Sequence, residues 1–461
     1  MTTSLPPYPE YKASGVPWLG DVPAHWRLLR GKWLFRAAKV INTERKHSNV
    51  LSLTLRGVVN NDIDNPEGLV PKDYATYQYF AAGDLVFKLI DLENLRTSRV
   101  GLVHQDGIMS PAYIRLTPIH DGVQRYFFHQ YYDLYQRGIY NQLGAGVRST
   151  LTAEDLLDVP ILLPPPAEQQ AIVRYLDHID RRVRRYIRAK QRLLALLREQ
   201  KQAIIHQAVT RGLDASAPLK PSGVAWLGEV PAHWEVKPAK RLFVEVDERS
   251  EKGDEELLSV SHLTGVTLRS QKNITMFMAV SYTGHKLCYP GDLVLNTMWA
   301  WMGALGVSRQ KGIVSPSYAV YKPVAGNNLA SDFADYLLRT RPYISEFVCR
   351  STGIRSSRLR LYPEQFLRIP IVCPPVAEQI AITQYIQSRT AEIDLAINRT
   401  QQQIALIQEY RTRLIADVVT GKVDVRAAEV GEEVAWAVGE GEEEGEEVSE
   451  EELQRMQTGN G

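Results

Sequence analysis

The sequence has few of the features that mark secreted proteins, membrane proteins and metal sites. It contains three cysteines, Cys288, Cys349 and Cys373, and no CxxC pair. A disulfide framework and a cysteine-rich zinc site are therefore poorly supported. No run of about 18 apolar residues occurs, and the first residues, MTTSLPPYPEYK, are not typical of a secretory signal. These absences predict a soluble protein of a reducing, cytoplasmic compartment.

Motifs for common catalytic chemistries are also missing. The sequence has no GxxxxGK[ST] phosphate loop, no HExxH and no GxSxG. Two of its ten histidines, His25 and His233, recur in Pro-x-His-Trp segments, where we expect a packing role. We therefore predict that the chain is not itself an enzyme and that it holds neither a metal nor another cofactor.

The charge is unevenly distributed along the chain. The whole sequence carries +1, but residues 425–461 contain twelve Glu and two Arg, which gives this segment −10 and leaves +11 on the rest. A body of that sign favours an anionic partner, with nucleic acid as the first candidate. The acidic segment is poor in apolar residues and is predicted to be a disordered tail.

The chain is an internal duplication. GVPWLGDVPAHW at 15–26 returns as GVAWLGEVPAHW at 223–234, with ten of twelve positions identical. PILLPPPAEQQAI at 160–172 returns as PIVCPPVAEQIAI at 370–382, and shorter matches lie between these two in the same order. Two copies are too few for a solenoid and predict two similar globular parts with related but different surfaces.

Each copy combines a mixed segment with a long helical one. Short apolar runs separated by Gly, Pro and Asn turns predict an α+β domain, with short helices near 123–137 and 329–339. The predicted organisation is a leader at 1–19, a globular domain at 20–163, a long helix at 164–212, a linker at 213–227, a second globular domain at 228–373, a second long helix at 374–424 and the tail at 425–461.

The long helices carry apolar seams with alternating steps of four and three. The first seam is predicted at Ile172, Leu176, Ile179, Val183, Tyr186, Leu193, Leu197 and Ile204. The second is predicted at Ile382, Ile386, Ile393, Ile397, Ile404, Ile407, Leu414 and Val418. Pseudo-symmetry predicts an antiparallel coiled coil that separates the two domains; the alternative is that each helix packs on its own domain.

These repeated segments resemble the specificity subunit of type I restriction-modification systems over about residues 1–424. The telling motifs are the two Gly-x-x-Trp-Leu-Gly-x-Val-Pro-x-His-Trp segments and the two Pro-Pro-x-Ala-Glu-Gln-Gln/Ile-x-Ile segments that end at 172 and 382. The resemblance implies that each globular part is a target-recognition domain for one half of a bipartite, asymmetric sequence in double-stranded DNA. It also implies two modification (methyltransferase) subunits that bind S-adenosylmethionine, and restriction subunits that use ATP and Mg²⁺.

Three regions are candidates for DNA contact. The Gly-rich loops of both copies supply Arg148, Ser149, Thr150, Arg355, Ser356, Arg358 and Arg360. Lys88, Arg96 and Arg99 follow a Gly-Asp strand whose counterpart carries Trp299 and Trp301. Residues 171–211 hold eleven Lys and Arg against three Asp and Glu, whereas 381–421 hold four of each. Arg and Lys are the usual donors to phosphates and bases.

Two other functions stay open at this point. A self-sufficient nuclease or methyltransferase requires a cofactor motif or clustered metal-binding carboxylates. An interaction scaffold built on the coiled coil has no need of two divergent basic domains. The acidic tail either competes with DNA for the basic body or is a solubilising extension.

Overall fold

The computed structural model describes residues 5–55, 57–61, 73–89, 92, 99–120, 122–143, 150–271, 281–353 and 359–428. The chain divides into two compact units. Within the described residues, unit 1 comprises residues 5–191 and 402–428, and unit 2 comprises residues 192–401. Each unit thus contains one globular part and a portion of each long helix.

Unit 1 begins with short strands and ends its globular part at the first long helix. Its strands are β1 (Tyr11–Ala13), β2 (Asp21–Pro23), β3 (Arg27–Arg30), β4 (Phe35–Ala37), β5 (Leu51–Thr54), β6 (Gly57–Asn60), β7 (Gln78–Phe80), β8 (Leu85–Lys88), β9 (Arg99–Leu102), β10 (Gly107–Met109), β11 (Ile114–Pro118) and β12 (Pro160–Leu163). Its helices are α1 (Gln124–Gln136), α2 (Tyr140–Leu143), α3 (Ala153–Asp158) and α4 (Pro166–Arg211), the last of which continues into unit 2.

A four-stranded antiparallel sheet forms the centre of unit 1. Its strand order is β4-β11-β8-β9, and the apolar Leu-Val-Phe run of β8 is buried because it lies inside the sheet. Helix α1 supplies Tyr126 and Tyr131 to the same core as Phe35 and Phe87 of the sheet. The strand predicted after Gly83-Asp84 and the helix predicted near 123–137 are both confirmed.

Unit 2 repeats this plan. Its strands are β13 (Leu219–Pro221), β14 (Glu229–Pro231), β15 (Glu235–Pro238), β16 (Phe243–Val246), β17 (Leu258–Ser261), β18 (Gly265–Leu268), β19 (Lys286–Cys288), β20 (Leu293–Leu295), β21 (Leu305–Val307), β22 (Gly312–Val314), β23 (Ala319–Pro323) and β24 (Pro370–Cys373). Its helices are α5 (Ser331–Leu338), α6 (Arg341–Arg350), α7 (Pro363–Phe366) and α8 (Val376–Val419), the last of which continues into unit 1.

The two central sheets have the same topology. The order β16-β23-β20-β21 in unit 2 matches β4-β11-β8-β9 strand for strand. Gly107 and Gly312 occupy equivalent positions where the backbone leaves no room for a side chain. A Cβ at Gly107 would lie 2.8 Å from the Asn49 carbonyl oxygen, and a Cβ at Gly312 would lie 2.6 Å from the Glu256 carbonyl oxygen. The predicted fold, a tandem α+β repeat with long helices, is confirmed.

The long helices run antiparallel to each other within each unit. In unit 1, Asp180 of α4 pairs with Arg411 of α8, and Ile172 shares a core with Ile415 and Val418. In unit 2, Lys201 donates to Asp394 at 2.6 Å. Because higher residue numbers in α4 lie beside lower residue numbers in α8, this pairing agrees with the predicted antiparallel coiled coil.

The predicted seam of α4 is wrong in its second half. Tyr186 and Leu193 are 40% and 39% exposed, whereas Leu194 and Ile205 are 7% exposed. The buried positions Ile172, Val183, Leu194 and Ile205 recur every 11 residues. An 11-residue repeat corresponds to about 3.67 residues per turn, close to the value of a straight helix and above the 3.5 of a heptad repeat. The buried face of α4 therefore drifts away from the predicted heptad positions. In α8 the predicted seam holds at both ends, where Ile382, Ile386, Leu414 and Val418 are buried.

The predicted leader and the start of the predicted tail both pack on unit 1. Tyr8 and Val425 are 3% and 2% exposed, and the Asp424 amide donates to the Pro6 carbonyl at 2.9 Å. The folded part of the chain therefore extends beyond residue 424 to at least Ala428. The remainder of the predicted tail lies outside the described residues.

Among the helices in the described part of the chain, none combines the length and the apolar character that crossing a bilayer requires.

Candidate nucleic-acid interface

The two most telling repeated motifs meet at a junction between each globular part and its long helix. In unit 1, Glu168 in the first turn of α4 accepts a hydrogen bond from the indole of Trp26 at 2.9 Å and contacts His25 Nε2 at 2.9 Å. In unit 2, His233 Nε2 lies 2.7 Å from Glu378. A carboxylate is also favoured at a helix N-terminus by the helix dipole.

The histidines of the repeat therefore lie in structural contacts, as their Pro-x-His-Trp setting predicted. Sequence reasoning missed their partners Glu168 and Glu378, although both occur in the duplicated Pro-Pro-x-Ala-Glu-Gln segment. The recurrence of this glutamate in both copies was the sequence signal that could have identified it.

Two basic candidates face each other at the edge of the unit 1 sheet. Lys88 ends β8 and Arg99 begins β9, and the two are paired residues in the antiparallel ladder. Both are half-buried. Partial burial and the nearby Arg99 charge lower the pKa of Lys88.

The first Gly-rich loop ends beside this pair. The amide of Leu151 donates to the Leu89 carbonyl at 3.4 Å, which places the exposed Thr150 next to the end of β8. The structure thus brings together Lys88, Arg99 and Thr150. We call this region the unit 1 corner.

Unit 2 has an equivalent corner with different chemistry. The amide of Leu361 donates to the Thr297 carbonyl at 2.9 Å, just as Leu151 bonds to Leu89 in unit 1. The positions of Lys88 and Arg99 correspond to Asn296 and Ala304, whose backbones are hydrogen-bonded at 3.0 Å. Both strand ends are neutral here.

Arg360 and the tryptophans lie at this unit 2 corner. Arg360 is exposed and closes the base of its loop through two 2.9 Å backbone bonds with Thr352. Trp299 and Trp301 are half-buried and stacked, with ring centroids 6.2 Å apart and an interplanar angle of 18°.

The other predicted contact residues fall outside the described part of the chain. They are Arg96, Arg148, Ser149, Arg355, Ser356 and Arg358. Their assignment remains a prediction, as does DNA contact by Lys88, Arg99, Thr150 and Arg360.

The basic stretch of α4 lies on the helix surface. Arg181, Arg182, Arg184 and Arg185 are exposed on either side of the buried Val183, and Arg184 pairs with Asp180 at 2.7 Å. In the regions that the structure describes, no three His, Cys, Asp or Glu side chains are grouped so as to hold a metal ion.

Sequence comparison now adds the family. Residues 48–192 match the family model described as "Type I restriction modification DNA specificity domain". These residues belong to that family. The resemblance inferred from the repeated motifs is thereby confirmed, and DNA specificity is the function of the matched domain's family. The specificity domain spans β5 to β12, includes the unit 1 corner and runs into α4. A comparison with curated protein sequences finds no match.

One solved structure supports the same fold for the chain that carries this specificity domain, and two further matches have lower TM-scores. A chain from "Structural basis underlying complex assembly and conformational transition of the type I R-M system" is 15% identical with a TM-score of 0.60, and the match covers 87% of this chain and 99% of that one. The HsdS subunit from Thermoanaerobacter tengcongensis is 14% identical with a TM-score of 0.40, covering 87% and 98%. The S subunit from M. genitalium is 12% identical with a TM-score of 0.34, covering 85% and 96%.

Proposed function

We propose that this chain is the DNA sequence-recognition subunit of a type I restriction-modification complex and reads a bipartite, asymmetric target. The observation that carries the proposal is the pair of corners. One sheet topology occurs twice, and the strand ends beside the anchored loop differ in chemistry between the copies. Two identical readers recognise two identical half-sites, whereas two divergent readers suit two different ones.

Phosphate and base contacts are assigned to the corners and their loops. In unit 1 we propose Lys88, Arg96, Arg99, Arg148, Ser149 and Thr150. In unit 2 we propose Arg355, Ser356, Arg358 and Arg360. Arginine and hydroxyl side chains next to glycine backbone supply several donors to a closely approaching duplex. The exposed arginines of α4 serve either the DNA between the half-sites or an acidic face of a partner subunit.

Catalysis is assigned to partner subunits. We propose that this chain binds no cofactor itself, that two modification subunits supply S-adenosylmethionine and methylate adenine, and that restriction subunits supply the ATP- and Mg²⁺-dependent steps. The long antiparallel helices set the distance between the two half-sites. We place the assembled complex in the cytoplasm.

The test is methylation mapping by single-molecule sequencing in a host free of DNA methylation. The host expresses this chain with the modification subunit encoded beside it, and each protein alone serves as a control. N6-methyladenine at one split motif, present only when both proteins are expressed, is the expected result. Exchanging residues 20–163 for those of another specificity subunit should then change one half of the motif and leave the other half intact.

The same experiment separates the alternatives. Methylation by this chain alone supports a self-sufficient methyltransferase and contradicts the proposal. An absence of methylation under all conditions, together with DNA binding that does not respond to salt, supports a coiled-coil scaffold instead.

A further inference from the structure

We propose that Trp299 and Trp301 form a neutral aromatic contact for the DNA of the half-site that unit 2 reads. The inference rests on the proposed function and specifies how the unit 2 corner contacts its DNA. In unit 1 the equivalent strand ends carry Lys88 and Arg99, so the two corners offer DNA different side-chain chemistry.

The two indoles form one continuous aromatic surface. Their rings are stacked at 6.2 Å and 18°, and both remain partly accessible to solvent. The Trp301 Nε1 group donates to the Met298 carbonyl at 2.9 Å. Because this bond fixes the orientation of the ring and satisfies its polar atom, its exposed part is available for apolar contact.

The turn that carries the indoles is held in place on several sides. Residues Ala300–Met302 form a 3₁₀ turn, and the Ala304 amide bonds back to the Trp299 carbonyl at 3.1 Å. Gly303 ends the turn at φ +84°, and a Cβ there would lie 2.8 Å from Ile344 of α6. A pre-organised aromatic surface loses little conformational entropy on binding.

The surroundings of the indoles fit a nucleic acid better than a protein partner. The Leu361 amide bonds to the Thr297 carbonyl just before the turn, and Arg360 next to Leu361 is exposed. The sequences 296–304 and 352–360 contain no Asp or Glu, and the second contains Arg355, Arg358 and Arg360. Aromatic side chains make apolar contacts with thymine methyl groups at base edges, and an exposed arginine such as Arg360 binds phosphates.

The experiment measures the affinity of the full-length chain for a duplex that carries the methylated motif, over a range of salt concentrations. Three companion duplexes have the first half, the second half or both halves scrambled. The second half is the one that exchanging residues 20–163 leaves unchanged. The variants are Trp299→Ala and Trp301→Ala, and Trp33→Ala is the matched control because Trp33 is 64% exposed and belongs to unit 1, outside both corners.

Each Trp→Ala variant at the corner is expected to bind about tenfold more weakly or worse, because its apolar contact with base edges is lost. The slope of log K against log salt should stay unchanged, since no phosphate contact is removed. The weakening should persist when the first half is scrambled and disappear when the second half is scrambled. Trp33→Ala should match the wild type.

A second measurement uses the wild-type chain, so that a folding defect cannot decide the result. Bound duplex should protect Trp299 and Trp301, but not Trp33, from N-bromosuccinimide oxidation read by mass spectrometry. Protection should vanish with the second half scrambled. Unprotected indoles, or variants that bind like Trp33→Ala, overturn the inference while the proposed function stands. A wild-type chain that does not prefer its motif over the fully scrambled duplex overturns both.

Discussion

Lys88 and Arg99 are directly opposed across β8 and β9, which places two cations on one antiparallel pair. A sheet selected for stability alone gains from opposite charges or apolar groups at such positions. Unit 2 has the neutral residues Asn296 and Ala304 at the same place. The two corners therefore differ in charge at equivalent positions of the same sheet.

Replacing either cation should separate stability from DNA binding. Lys88→Ala should leave the free energy of unfolding unchanged or raise it by about 0.2–1 kcal/mol, because a like-charge repulsion is removed. The salt dependence of DNA binding should fall, with the slope of log K against log salt reduced by about 0.9 if Lys88 binds one phosphate.

Arg99→Ala distinguishes a phosphate contact from base readout. If Arg99 binds a phosphate, the substitution weakens binding to all sequences about equally. If Arg99 reads a base, the substitution costs about 1–3 kcal/mol and relaxes one position of the motif. Lys39, which is exposed in unit 1, supplies the control variant Lys39→Ala. An unchanged salt slope in Lys88→Ala and Arg99→Ala contradicts the assignment of the unit 1 corner to DNA.

Glu168 should contribute more to stability than its counterpart Glu378. The Glu168 side chain is 4% exposed and holds both Trp26 and His25, so Glu168→Ala leaves a buried indole N–H without its acceptor. We expect stability to fall by about 1–3 kcal/mol in urea denaturation. Glu168→Gln retains an acceptor oxygen and should be less destabilising.

The comparison with unit 2 makes this prediction specific. Within the described residues, Trp234 Nε1 has no hydrogen-bond partner, so Glu378→Ala removes only the interaction with the half-exposed His233. A destabilisation by Glu378→Ala as large as that by Glu168→Ala argues against the indole bond as the source of the difference.

Unit 1 should lose stability as the pH falls below about 6.5. Burial is the main reason that the pKa of His129 is lowered to about 3, with contributions from Arg125 and Arg411 that outweigh the opposing effect of Asp180. The unfolded chain therefore binds a proton in this range that the folded chain does not. Stability is fully present above pH 6.5 and falls by about 1.4 kcal/mol per pH unit towards pH 3.

Urea denaturation at pH 7 and pH 5 checks this sign. The contribution of His129 should amount to about 2 kcal/mol between the two values. His129→Gln should abolish that part of the pH dependence, whereas His104→Gln, at an exposed position, should retain it. An identical pH dependence in all three proteins contradicts burial of a neutral His129.

Lengthening both long helices by one repeat should lengthen the target. Duplicating residues 181–191 in α4 and 402–412 in α8 adds about 16 Å to each helix and preserves the 11-residue spacing of buried positions. At about 3.4 Å per base pair, the spacer of the methylated motif should grow by about five base pairs. Duplication in α4 alone is the control and should destabilise the protein, since the antiparallel partners lose register.

The duplication and the element types could be predicted from the sequence because they depend on local patterns. The offset of the repeated motifs indicated two copies of one fold, and the apolar run after Gly83-Asp84 indicated a buried strand. Proline before Ala167 and the absence of proline and glycine as far as Thr210 indicated a long helix. The buried face of that helix was predicted less well. A 7-residue and an 11-residue repeat differ little in residues per turn, so one half-buried helix does not distinguish them by sequence.

Tertiary structure alone decided which distant residues meet. Trp26 and Glu168 are 142 residues apart and share a buried hydrogen bond, and Lys88 faces Arg99 only because β8 and β9 pair in one particular register. The same structure placed Thr150 in unit 1 and Arg360 in unit 2 next to the equivalent strand ends. Sequence periodicity records which side chains are buried, whereas pairing across a sheet or a helix junction depends on the register that the whole core imposes.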